Sequence, residues 1–140
     1  MLVMRIWLYL IVIAGIVTAG CRTVNPQTPA LVEYERSGGI TGQTIRLVVQ
    51  DNGSARLTRA GGDSTDLAVD ADTLDHLKSL LQGIRFDTLR AEYLPSQAGA
   101  DRYEYVIAHE GRRVRLQDGA VPADLQPLIT TLNGVVRSGR

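Results

Sequence analysis

The stretch Thr44-Ile45-Arg46-Leu47-Val48-Val49-Gln50-Asp51-Asn52-Gly53-Ser54-Ala55-Arg56-Leu57-Thr58-Arg59 decides the fold. Successive side chains of a strand point to opposite faces, so the first run places Ile45, Leu47 and Val49 together, and Ser54 to Arg59 forms a second run beyond a turn. A two-residue Asn52-Gly53 turn sets Leu47 beside Thr58 and Val49 beside Arg56, which puts polar groups on the apolar face. A three-residue Asp51-Asn52-Gly53 loop, with Gly53 in the left-handed position of a bulge, pairs Val49 with Ala55 and Leu47 with Leu57. The second register keeps one face apolar and is the expected one.

Upstream, Leu31-Val32-Glu33-Tyr34-Glu35-Arg36 alternates with Val32 and Tyr34 on one face, and reads as a first strand ending at a Ser37-Gly38-Gly39 turn. Downstream, Leu74, Leu77, Leu80, Leu81 and Ile84 recur at helical spacing after Asp70-Ala71-Asp72-Thr73. Asp72 is the expected N-cap and Gly83 the expected left-handed terminator. After a loop containing Pro95, Ser96, Gln97 and Gly99, the residues Tyr103, Tyr105 and Ile107 alternate with Glu104, Val106 and Ala108. A two-residue Glu110-Gly111 turn then brings Val114 beside Ile107 and Leu116 beside Tyr105, leaving Arg113 and Arg115 outward with Glu104 within pairing reach. Leu125, Leu128, Ile129, Leu132, Val135 and Val136 form a second helical stripe. Its expected N-cap is Asp124, which leaves Pro127 in the first turn, where no amide bond is lost. Three strands, a helix, two strands and a helix, each apolar on one side only, predict an α+β fold. The expected architecture is an antiparallel sheet of about five strands with two helices packed on one face, order βββαββα.

The N-terminal twenty residues read as an address. Met1 to Arg5 supplies one positive charge, and Ile6 to Val17 is an unbroken run of apolar or small residues, within the roughly 7–15 residues of a signal-peptide core. The run closes on Thr18-Ala19-Gly20-Cys21, which resembles the bacterial lipobox, with Thr18 where leucine is usual. A transmembrane anchor needs roughly 20 apolar residues followed by a basic stop-transfer cluster, and Ile6 to Gly20 has neither. Cys21 is the only cysteine, so it can form no internal disulfide, CxxC pair or thiolate zinc cage. The expected role is lipidation, with an ordinary secretory leader and an incidental cysteine as the alternative. Residues 1–20 are thus the expected lipoprotein signal peptide, residues 21–30 the lipidated cysteine and a proline-bearing tether, and residues 31–137 one domain. The expected location is a cell membrane, lipid-anchored and facing the periplasm or exterior. Arg22 in place of aspartate beside the cysteine is compatible with the outer membrane of a cell that has two.

The chain has 140 residues, enough for one domain, and its 15 basic and 15 acidic residues balance. No excess of positive charge exists to bind nucleic acid, and none is expected as a partner. His76 lies on the polar side of the first helix and His109 at a hairpin tip, both read as surface residues; HExxH, GxSxG, P-loop and GxGxxG motifs are absent. Asp63, Asp66, Asp70, Asp72 and Asp75 lack the glycine and glutamate positions of a calcium loop, and are expected to solvate the loop and favour the helix N-terminus. Tyr103 and Tyr105 face inward as core. No catalytic residue, metal or cofactor is expected beyond the lipid on Cys21, and no enzymatic activity.

Three stretches carry a resemblance to a known family: Tyr34-Glu35-Arg36-Ser37-Gly38-Gly39-Ile40-Thr41-Gly42, Gly99-Ala100-Asp101-Arg102-Tyr103-Glu104-Tyr105, and Gly119-Ala120-Val121-Pro122 leading into Leu125, Leu128 and Leu132. In order and spacing they resemble the emfourin family, small protein inhibitors of thermolysin-like metalloproteases, over roughly Val32 to Val136. The resemblance implies inhibition by occlusion of the protease cleft. The loops that would do so are Gly38, Gly39, Ile40, Thr41 and Gly42 on one side and Gln97 to Arg102, with Gln97, Asp101 and Arg102, on the other. The alternative is a non-inhibitory envelope lipoprotein that acts as an adaptor or assembly factor through the same loops or its sheet face.

Overall fold

A computed structural model describes residues 29–139, apart from 98 and 100. The leader, Cys21 and most of the tether lie outside the described residues. Four strands come first: β1 (Ala30–Gly38), β2 (Ile45–Gln50), β3 (Ser54–Arg59) and β4 (Ser64–Ala68). Helix α1 (Ala71–Gly83), a 3-10 turn at Phe86–Thr88, and strands β5 (Glu92–Tyr93), β6 (Tyr103–His109) and β7 (Arg112–Gln117) follow, and a 3-10 turn at Ala123–Leu125 leads into α2 (Gln126–Ser138). One seven-stranded sheet runs in the order β4-β3-β2-β1-β6-β7-β5. Every pairing is antiparallel except β5 with β7.

The central hairpins keep the registers that side-chain alternation demands. Val49 pairs with Ala55 and Leu47 with Leu57, across a turn in which Gly53 takes φ +86°. Ile107 pairs with Val114 and Tyr105 with Leu116. The residues so aligned, with Val32 and Tyr34 of β1, join Leu77 and Leu81 of α1 and Leu128, Ile129, Leu132, Val135 and Val136 of α2 in a single buried cluster. That cluster is built on one face of the sheet. The opposite face carries pairs such as Arg46 with Glu33 and Arg115 with Glu104.

The sheet has two more strands than the expected five, and it is mixed instead of wholly antiparallel. β4 escapes the apolar pattern because Leu67 is its one large apolar residue. Its pairing is carried by polar partners across the outer face, Arg56 to Asp66 at 2.8 Å and Thr58 to Ser64 at 3.0 Å, as suits an edge strand that must not recruit other chains. β5 is two residues long, and Arg115 secures it by donating its backbone N–H to Ala91 at 2.8 Å and by a 3.6 Å ion pair with Glu92. Strand β1 also runs on through Ser37 and Gly38, which pair with β6 where a turn was expected.

Three local expectations are corrected. The α1 cap is Asp70, which accepts from the Thr73 N–H at 2.9 Å, two residues earlier than Asp72. The helix leaves Gly83 through Ile84 at φ −88°, so no left-handed residue terminates it. Asp124 sits inside the 3-10 turn and caps nothing; α2 follows Leu125 without a side-chain cap, with Pro127 in its first turn.

Two tyrosines give the core a pH limit. Tyr34 is fully buried and donates to Asn133 Oδ1 at 3.0 Å, and Tyr105 donates to Asp118 Oδ1 at 2.8 Å. Burial pushes both phenols well above the usual tyrosine range, and the Asp118 carboxylate adds to the rise at Tyr105. The folded state therefore keeps two protons that the unfolded chain releases above about pH 10. Their contribution is fully present below that pH and is lost as pH rises toward the folded values, at up to about 1.4 kcal/mol per pH unit for each tyrosine. Urea midpoints measured across this range should fall steeply above pH ~10, and Tyr105→Phe should flatten the fall; a midpoint level through pH ~11 would contradict the assignment.

Candidate functional site

At one end of the sheet the β1–β2 turn and the β5–β6 loop meet. Gly39 donates its N–H to the Arg102 carbonyl at 3.2 Å, and Gly42 closes the turn by donating to Gly39 at 3.1 Å. The approach is tight because Gly39, at φ +69°, rests on the Tyr103 ring, where a β carbon would stand 2.6 Å from Cε1. Residues more than sixty positions apart in sequence are so joined into one edge.

That edge is fastened from below. Asp118 accepts from the Tyr103 N–H at 3.1 Å with one carboxylate oxygen while the other holds Tyr105, and the Arg102 guanidinium donates to the Asp118 carbonyl at 2.9 Å. Over the Tyr103 ring also lies Arg36, whose guanidinium carbon is 5.0 Å from the ring centroid, a cation–π contact. Asp118 was not among the residues singled out from sequence, and no periodicity could reveal it: a polar residue just after a strand looks like any turn residue.

The expected binding residues fall as follows. Gly38 ends β1, paired with Tyr103, and Gly39 to Gly42 form the projecting turn. Ile40 crowns it with 89% of its surface exposed. Thr41 turns one side toward a cleft described below. Arg102 reaches the edge through both its carbonyl and its guanidinium, while Gln97 and Asp101 are exposed on the loop, Asp101 with a left-handed φ of +65°. Cys21, the expected lipidation site, lies outside the described residues.

The histidines part company. His76 is exposed on α1. His109 is not a free hairpin tip: its ring is 13% exposed, bonds the Leu31 carbonyl through Nδ1 at 2.7 Å and packs 5.1 Å from the Phe86 ring. It holds β6 to the start of β1. Of the aspartates before and within α1, Asp66 pairs with Arg56 and Asp70 caps the helix. Among the described residues, no three His, Cys, Asp or Glu side chains converge as a metal site would require.

Behind the projecting turn, on the helix face of the sheet, opens a cleft of about 600 Å³. Arg36, Arg59, Gln43 and Tyr103 supply its polar lining, and Ile45 and Val136 its apolar walls. The sequence carries a signal for it: Arg36 continues the inward phase of Val32 and Tyr34, and Arg59 that of Ala55 and Leu57.

No protein-family model matches the chain, and no curated protein is significantly similar to it.

Proposed function

We propose that this chain is a membrane-anchored binding protein that works by inserting its joined loop edge into the cleft of a protein partner, with a thermolysin-like metalloprotease as the partner class and occlusion as the mechanism. The observation that carries this reading is the Gly39–Arg102 hydrogen bond, which unites the two loops under a bare Ile40. A loop already fixed by its scaffold loses little conformational freedom on docking, so more of the contact energy appears as affinity. An isoleucine that is 89% exposed at the summit of such a loop is an apolar anchor suited to a pocket. The resemblance to emfourins supplies the partner class.

The purified chain, added to a panel of thermolysin-like proteases, is expected to inhibit at least one at micromolar concentration or below. Ile40→Asp should weaken that inhibition by roughly thirtyfold, the effect of losing an interface anchor worth about 2 kcal/mol. No inhibition of any protease at micromolar concentration would sink the inhibitor reading and leave the adaptor reading.

A further inference from the structure

We propose that the cleft behind the loop edge is a binding site for a carboxylate carried on an apolar stem. This inference stands apart from protease inhibition and survives its failure.

The site follows from register. Arg59 lies opposite Ile45, Ile45 opposite Arg36, and Arg36 opposite Tyr105, a single row across β3, β2, β1 and β6. Residues directly opposite share a face, and neighbouring strands lie about 4.8 Å apart, so the two arginines flank Ile45 with their backbones roughly 10 Å apart. Along the rest of β1, β2 and β3 this is the face that builds the core. Where α2 ends, the row carries two cations in place of aliphatic residues, with Val136 of the helix's last turns as one wall.

Both guanidinium groups are held by neutral acceptors. Arg36 donates to Asn133 Oδ1 at 2.7 Å; Arg59 donates to the Gly139 carbonyl at 2.8 Å and to Thr65 Oγ1 at 3.3 Å. The contrast with the outer face is sharp, since Arg46, Arg56 and Arg115 each pair with a carboxylate there. Among the described residues no acidic side chain lines the cleft, and neither Arg36 nor Arg59 has a carboxylate within ion-pair distance. A guanidinium has five donors, so each retains several, already oriented by its neutral partners. Two such forks above an Ile45–Val136–Tyr103 wall recognise a planar anion joined to an apolar group, and the volume is that of a small-ligand site, typically about 300–1,000 Å³. The shared chemistry fits a free organic acid or the C-terminal residue of a peptide.

The test uses the purified full chain and phenylacetate, with phenylacetamide as the uncharged isostere, inorganic phosphate, and a leucine-terminated peptide with free or amidated carboxylate. Phenylacetate should bind saturably and move the methyl resonances of Ile45 and Val136. Phenylacetamide should bind about ten- to a hundredfold more weakly, the effect of losing charge-assisted bonds. Arg36→Gln and Arg59→Gln should each weaken phenylacetate by a similar factor, with unchanged amide spectra away from the cleft. A free peptide that outbinds both phenylacetate and its own amidated form assigns the source as a chain terminus; parity with phenylacetate assigns a small acid. Equal binding of the acid and its amide, or phosphate binding as tightly as phenylacetate, would overturn the proposal, as would no saturable binding of any probe. The comparison of acid with amide is made on the unaltered chain, so a variant that fails to fold does not rescue the idea.

Discussion

Replacing Gly38 with alanine is expected to cost about 2–4 kcal/mol of stability and to lower the thermal midpoint by on the order of 10 °C. Gly38 adopts φ +91°, and a β carbon there would run into the carbonyl oxygen of Arg102. The left-handed backbone alone costs an alanine about 1–2 kcal/mol. The larger difficulty is that the carbonyl has nowhere to go. It accepts from Gly39, and the next residue, Tyr103, is held by Asp118 through its own N–H. Relief requires the last β1–β6 pair, Gly38 with Tyr103, to open, which gives up hydrogen bonds worth about 1 kcal/mol each. Gly42 provides the control, since it is also left-handed, at φ +58°, but has nothing within 4 Å of a β carbon. Gly42→Ala should cost only the backbone part. Denaturant unfolding of both variants decides the matter: equal losses would mean that backbone strain alone acts and that the loop junction contributes nothing. The same substitution should weaken any activity that depends on the joined edge, because separating the loops removes the preorganisation on which docking relies.

The β2–β3 and β6–β7 hairpins were legible because one-residue slips would have put Thr58 or Arg113 into the core, a cost large enough for alternation to fix the register. β4 and β5 were illegible for the converse reason. Their pairing rests on Arg56–Asp66 and Arg115–Glu92, polar contacts on the solvent side that leave no hydrophobic period. The α1 cap turned on a choice between two aspartates two residues apart, both able to accept from a first-turn amide. It fell to Asp70, whose extended backbone, φ −63° and ψ 155°, follows directly from β4. The loop edge was legible in its parts, Gly38 to Gly42 and Gln97 to Arg102, but its joining depends on Asp118 and on the Tyr103 ring, which belong to a different stretch of chain. The cleft could have been found. Arg36 and Arg59 occupy apolar phases in otherwise regular strands, and a cation at a core position is informative, because burying it without a partner is costly.

Replacing Cys21 with serine is expected to abolish lipid attachment altogether, and this prediction rests on how few alternatives the domain offers. Positive and negative charges balance over the chain. Among the described residues no helix is long and apolar enough to cross a membrane, and the exposed large hydrophobics are Ile40 and Leu94. Two isolated side chains bury far too little to hold a protein on a bilayer. Each methylene of an acyl chain buried in lipid contributes about 0.8 kcal/mol, so one chain binds marginally and two or more bind stably. Serine cannot form the thioether that carries a diacylglyceryl group, and a leader peptidase that requires the lipidated cysteine would leave the precursor uncut. Cells supplied with labelled palmitate should therefore label the natural chain and leave Cys21→Ser unlabelled, with the variant heavier by its retained leader. Retention of label in the variant, or an unlabelled natural chain, would remove the anchor from the proposal. In that event the Ile40 edge would be presented in free solution, where its partner must be met by diffusion in three dimensions. With the anchor, an extended tether of Cys21 to Ala30 would hold the start of β1 within roughly 25–30 Å of the lipid, and the partners the domain meets are those that pass along that surface.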